Sequence, residues 1–323
     1  MSLTEPQIAT IRSLLGSPDI STVKQGVEVI ETLQPDNDGF RRLIGYSKTC
    51  SKVDYLMRST KGWRHKNYVK LWVLGCLAER NIQWVLSLTE LHLQSRKLVE
   101  LPDNIGNIRN LKVLKLGLNQ LQRIPTTIDQ LSQLETLELW SNQLTRLPAL
   151  GNLTQLKELI LHSNQLSELP DTCNRLSRLQ VLQLSLNEFS CFPVAVLSMK
   201  DLKHLSLDNN LLSDVPKDLD QLVNLESLLL SDNPLSKVPT GIRGLQKLQN
   251  LALERTELSQ VPEWVGELTA LQKLNVGNNK LNQLPESIVK LGNLTSLDIR
   301  NCALKRGQKT WLCKRFGRKN VRF

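Results

Sequence analysis

The chain has 323 residues, of which 40% are hydrophobic and only 4% aromatic. That allows one large domain or two, with a core built mainly from aliphatic side chains. The formal charge of +10 is unevenly placed. Residues 81–304 are nearly neutral, with 21 basic and 23 acidic side chains, whereas 41–80 carry 10 and 2, and 305–323 carry 8 and none. No stretch reaches the roughly 18 uncharged apolar residues of a bilayer span. The opening "MSLTEPQIATIRSLL" shows no basic leader before an apolar run, so a cytoplasmic location is expected.

In chain order, residues 1–63 read as a helical N-terminal segment. Thr4 and Gln7 make a capping box before Ile8, Ile11, Leu14 and Leu15, with Gly16 as a stop. Val23, Val27 and Ile30 suggest a second helix. Residues 64–87 read as an N-terminal cap. "HKNYVKLWVLGCLAERN" (65–81) is helical, and "IQWVL" (82–86) is either a first strand or the end of the cap. A cap hides leucines that an open repeat stack exposes. Residues 1–63 exceed what a cap needs, so a small docking domain is the alternative. The basic cluster at 41–80 matches no nucleic-acid motif.

From Leu88 the pattern L-x-x-L-x-L-x-x-N-x-L-x-x-L-P-x-x-I-x-x-L recurs every 23 residues. Repeats begin at Leu88, Leu111, Leu134, Leu156, Leu179, Leu202, Leu225, Leu248, Leu271 and Leu294. The third is one residue short, because "LPAL" (147–150) replaces the spacing of "IPTTI" (124–128), and the tenth keeps only its first half. L-x-L has the period of a strand, so each repeat adds one short strand to a parallel sheet, leucines inward. The turn after it leaves backbone groups that cost about 1–3 kcal/mol each if buried unpaired. An Asn side chain supplies both donor and acceptor there. Asn119, Asn142, Asn164, Asn187, Asn210, Asn233 and Asn279 form this ladder, while Arg96, Thr256 and Cys302 depart from it. Thr256 is interior, and its hydroxyl replaces only part of an amide, so a local irregularity is expected. Proline after the next leucine excludes a long helix. The I-x-x-L spacing allows one helical turn, so the convex segments should be short and 3₁₀-like.

These residues identify 88–304 as resembling leucine-rich repeat proteins. The LP-x-x-I variant is similar to the intracellular class of Ras-pathway scaffolds, plant Ras-group repeat proteins and bacterial proteins. The resemblance implies an α/β fold: a leucine-rich repeat solenoid with a curved parallel sheet on its concave side. Ten strands give a face about 43 Å long. Residues 305–323, "LKRGQKTWLCKRFGRKNVRF" with the preceding leucine, form a basic C-terminal cap or tail. Capping by Trp311, Leu312 and Phe316 is preferred. Binding to an anionic partner, nucleic acid included, and contact with an anionic membrane are the alternatives, as they are for 41–80.

The third, fifth and seventh positions of each repeat project from the sheet. Most are polar. Repeats two to five are the exception, with Val113, Trp140, Ile160 and Val181 on the outward strand positions and Leu118 and Leu186 at the next position along. Lys115, Glu138 and His162 accompany them. Adjacent strands are expected to bring Trp140, Ile160 and His162 into contact, an aromatic anchor with nearby charge; the alternative is that Trp140 lies flat and covers Ile160. The six cysteines form no CxxC pair and have no zinc-ligand spacing. No P-loop, GxSxG or HExxH occurs. The expected function is non-catalytic recognition of a protein partner on the concave face, as a scaffold or adaptor in signalling, with no cofactor, metal or small-molecule substrate. The runner-up is an effector-like or regulatory protein acting through its basic flanks.

Overall fold

The structure is a computed structural model that describes residues 4–15, 25, 26, 29 and 88–323. Val23, Val27 and Ile30, which suggested the second helix, Gly16, the 64–87 cap and the 41–80 basic cluster lie outside the described residues. Helix α1, Glu5–Leu15, begins as its sequence requires. The Thr4 N–H donates to Gln7 Oε1 at 2.9 Å, the reciprocal arm of a capping box. Ile11 is fully buried.

The chain divides into two compact units, Met1–Leu156 and Lys157–Phe323. The first holds strands β1 (Glu90–His92), β2 (Val113–Lys115) and β3 (Thr136–Glu138), paired in parallel in chain order. The second holds β4 (Glu158–Ile160), β5 (Val181–Gln183), β6 (His204–Ser206), β7 (Ser227–Leu229), β8 (Asn250–Ala252), β9 (Lys273–Asn275), β10 (Ser296–Asp298) and β11 (Val321–Arg322), again parallel in chain order. In every strand from β1 to β10 the middle residue is a buried leucine. Register steps by one repeat, so Leu182 lies level with Leu205 and Leu228 with Leu251. Full burial of one such leucine contributes about 1.5–3 kcal/mol, and every repeat contributes several.

The return segments are five-residue 3₁₀ turns, each starting directly after its proline, as at Thr126–Gln130 after Pro125 and Glu286–Lys290 after Pro285. The isoleucine or its substitute closes the turn by donating to the proline carbonyl, as Ile128 N–H does to Pro125 at 3.1 Å. The short third repeat has no such turn. Its Leu153 and Leu156 N–H groups still donate to Leu150 and Leu153. The missing residue is therefore taken from the 3₁₀ turn and not from the core contacts.

Every asparagine of the ladder is buried. Asn119 Nδ2 donates to the Leu93 and Leu116 carbonyls, both at 2.8 Å, and its Oδ1 accepts from Arg96 and Leu98 N–H at 3.0 and 3.1 Å. One side chain thus satisfies its own turn and the preceding one. Asn142 does the same within the first unit, as do Asn187, Asn210, Asn233 and Asn279 within the second.

The departures are visible in the backbone. The residue before the ladder position is left-handed in all ten repeats, with φ between 50 and 59°. Three further non-glycine residues are left-handed: Lys97, Ser236 and Glu257. Lys97 and Glu257 directly follow Arg96 and Thr256. Ser236 belongs to the turn that an Asn at 256 would have braced. There Leu235 N–H donates instead to Asn233 O at 2.8 Å, and Ser236 N–H to Thr256 O at 2.9 Å. Thr256 Oγ1 donates to the Leu253 carbonyl of its own repeat at 2.7 Å and lies 3.4 Å from Asn279 Oδ1 of the next, but it makes no bond to the preceding repeat. The irregularity is present, and it extends one repeat back because the missing amide bonded in that direction. Cys302 keeps one arm of the pattern, its thiol donating to Val276 O at 3.4 Å.

The eleventh strand is one more than the repeats supply. Residues after β10 form helix α2, Arg306–Phe316, then a 3₁₀ turn, and Val321 and Arg322 pair with Leu297 and Asp298. An open sheet edge presents a row of unpaired N–H and C=O groups, and the tail closes it. Leu312, Phe316 and Val321 are buried, and Trp311 is only half-buried.

Candidate partner-binding face

In the first unit, the pleat places Val113 and Lys115 of β2 on the outward side, level with Thr136 and Glu138 of β3. Lys115 Nζ and Glu138 Oε1 form an ion pair at 2.7 Å, with their side chains 29% and 17% exposed. Two residues further on, the indole of Trp140 lies directly over Gly117. A Cβ added at Gly117 would stand 2.4 Å from both Cε2 and Nε1 of the ring. The indole is half-buried and Gly117 is buried beneath it. Pattern reading does not single out Gly117, on which the indole rests. Its signal is a residue without a side chain at the same repeat position as the bulky Trp140, one repeat earlier.

Leu118 follows Gly117. Its N–H donates to the Trp140 carbonyl at 3.0 Å, which fixes it beside the indole's strand. Its φ is 55° and it is half exposed. Leucine is a costly choice for a left-handed position, at about 1–2 kcal/mol. Most other repeats place Ser, Asn or Asp there. Half of the Leu118 side chain is left exposed by a backbone that disfavours leucine.

In the second unit, Ile160 lies level with Gln183, and Val181 with Glu158, so the two apolar side chains are diagonal neighbours on β4 and β5. Both are partly exposed. His162 Nδ1 sits 3.2 Å from Ser163 Oγ. Leu186 repeats the geometry of Leu118, with φ 55°, half exposure, and its N–H bonded to the Asp208 carbonyl at 2.9 Å.

From the sixth repeat on, the outward face is mostly polar, with Leu229 and Ala252 as apolar exceptions, and many of its polar groups are bonded to one another. Asp208 accepts from the Ser231 N–H at 2.8 Å and from the Ser206 hydroxyl at 3.0 Å. Burial nevertheless pushes its carboxyl above the usual range, and Asp232 nearby adds to this. Glu254 accepts from Asn275, Asn278 and Arg255, and Arg255 also pairs with Asp232. Asp298 and Arg300 pair at 2.7 Å. Covering groups already bonded to one another costs desolvation and returns little. Among the described residues, no group of three or more His, Cys, Asp or Glu is placed to hold a metal ion.

Comparison with known proteins agrees with this architecture. Leucine-rich repeat family models match residues 87–144 and 246–304, a two-copy model matches 132–172, and a single-repeat model matches 224–245. A leucine-rich repeat protein of Leptospira interrogans is similar in structure, with 31% identity and a TM-score of 0.59 over 76% of this chain and 74% of that one. The chain belongs to the leucine-rich repeat proteins, and its fold is their solenoid. The plant peptide hormone receptor RGFR1, in complex with RGF2, is 28% identical with a TM-score of 0.60, covering 70% of this chain and 38% of the receptor. The ectodomain of the receptor kinase GASSHO1/SCHENGEN3 of Arabidopsis thaliana, in complex with Casparian Strip Integrity Factor 2, is 28% identical with a TM-score of 0.58, over 72% and 31%. The chain spans about a third of each plant receptor. No curated relative matches it. A protein-interaction scaffold is the function this family and these neighbours support in general terms.

Proposed function

We propose that the outward sheet face of repeats two and three binds a protein or peptide partner, and that the chain is a non-catalytic scaffold or adaptor in intracellular signalling. The observation that carries this is the pair formed by Leu118 and Trp140. One is exposed and held left-handed, and the other is laid over a glycine. The partner side chain that suits them is apolar or aromatic, with the Lys115–Glu138 pair at its border supplying orientation. Leu186, with Val181 and Ile160, is a second surface of the same chemistry in the second unit. The peptide-bound plant receptors support a protein or peptide ligand for this fold. The four described cysteines are free, which suits a reducing compartment.

The test is affinity capture with wild type, with Leu118→Asn plus Trp140→Ala, and with Val223→Asn. Val223 is 57% exposed and lies on the return side of the sixth repeat, away from the strands. The partner then goes to titration as a purified protein. The expected result is at least a tenfold loss in the double variant and none in the Val223 control. If every captured protein binds the double variant as tightly as wild type, the reading fails at this face.

A further inference from the structure

The folded tail carries a charge that no repeat neutralises. Residues 305–323 contain eight basic and no acidic residues. Seven of the eight are exposed, and none takes part in an ion pair shown for the described residues. The tail is anchored through other groups. Gln308 exchanges hydrogen bonds with the Leu284 backbone at 3.1 and 2.7 Å, and Arg315 Nε donates to the Val289 carbonyl at 3.0 Å. Leu312, Phe316 and Val321 are buried. Capping therefore uses the apolar side chains together with Gln308 and Arg315, and leaves most of the other cations to solvent. Arg306, Thr310 and Lys314 share one exposed stripe of α2, one turn apart. Lys319 and Arg322 continue the charge past the helix.

We infer that this cap binds single-stranded nucleic acid through its phosphates. A bilayer ligand is disfavoured because Leu312, Phe316 and Val321 are buried, which leaves too little exposed apolar surface to insert. Two aromatic rings remain half-exposed among the cations, Trp311 and Phe323. Lys309 and Arg318 both lie over the Phe323 ring, at 5.6 and 5.1 Å from its centroid, which leaves Trp311 as the ring open to a base. Cations beside a partly exposed ring are what an unpaired strand uses, phosphates on the charges and a base against a ring such as Trp311. This site is separate from the sheet face proposed above, and neither depends on the other.

The test uses the full chain and a fluorescein-labelled 20-nucleotide single strand of mixed sequence, with binding followed by anisotropy as salt is raised. Segment 41–80 carries comparable charge, so the substitutions are confined to the cap: Arg306→Glu, Lys314→Glu and Lys319→Glu together. The expected result is at least a tenfold loss of affinity at low salt. The log–log salt slope should also fall in magnitude by about 2, from three contacts at roughly 0.7 each. The corresponding triple alanine variant guards against misfolding, and its thermal unfolding should match wild type. Undiminished binding by both triple variants overturns the inference. So does tighter binding of the wild type to phosphatidylserine vesicles or to polyglutamate than to the oligonucleotide.

Discussion

Replacing Asn210 with alanine tests the ladder directly. Asn210 is 5% exposed. Its Nδ2 donates to the Leu184 and Leu207 carbonyls, both at 3.0 Å, and its Oδ1 accepts from the Phe189 N–H at 3.0 Å. Alanine leaves two carbonyls and one N–H without these partners in a buried turn. Each such group costs about 1–3 kcal/mol, so the sum lies between about 3 and 9 kcal/mol. The lower end, about 3–5 kcal/mol, is expected, because a carbonyl near the loop edge regains water more readily than the N–H. Equilibrium unfolding in urea measures the total, and hydrogen exchange locates it. The Phe189 amide should lose protection first, together with its neighbours in repeats five and six, since coupling in a solenoid is to the nearest repeat. Asn210→Thr should recover the bond to Leu207 but not those to Leu184 and Phe189, as Thr256 bonds Leu253 and Asn279 and leaves the preceding repeat unbraced. A loss below about 1 kcal/mol, with Phe189 still protected, would refute the claim that the asparagine side chain holds the turn.

Leu118→Asn and Leu186→Asn relieve left-handed strain of about 1–2 kcal/mol while giving up a half-buried side chain of similar worth. Each should be neutral or stabilise by up to about 1 kcal/mol in thermal unfolding, whereas Leu116→Asn in the core should cost more than about 3 kcal/mol; a clear loss at 118 would make it a packing residue. Gly117→Ala should push the Trp140 indole off the sheet and red-shift its emission, read as the difference from a Trp140→Phe variant in the same background, and unchanged emission would contradict the contact. Asp208 has its folded pKa raised, so its protonated form favours folding, and that contribution is lost as pH rises through the folded pKa. Asp208→Asn should therefore be the more stable protein at neutral pH, with the difference shrinking as pH falls from the raised folded pKa to the ordinary carboxylate value; a difference that grows toward acid pH would reverse the assignment.

The repeat, its strands and its proline-led 3₁₀ turns were legible because each depends on short-range periodicity. A leucine three or five residues from another states its own facing. The asparagine ladder was legible for the same reason, and Thr256 could be named in advance as a fault. That the fault extends to Ser236, a repeat earlier, depends on which way an amide reaches across 26 residues. At the outward face, the sequence placed Trp140, Leu118 and Leu186 on or beside the strands but said nothing of where an indole turns. It lies on Gly117, because that is where a neighbouring strand offers no side chain. The pairing of Lys115 with Glu138 is likewise a matter of register between repeats. The tail shows the division most sharply. Its eight cations and scattered aromatics were plain from composition, but β11 was not, since two residues carry no period. Only the edge of β10, with its row of backbone groups open to a partner, makes a strand of Val321 and Arg322. Local pattern thus determined which side chains face the core and where each turn falls. Tertiary packing decided which neighbour each remaining group meets, because those contacts join residues that no local period relates.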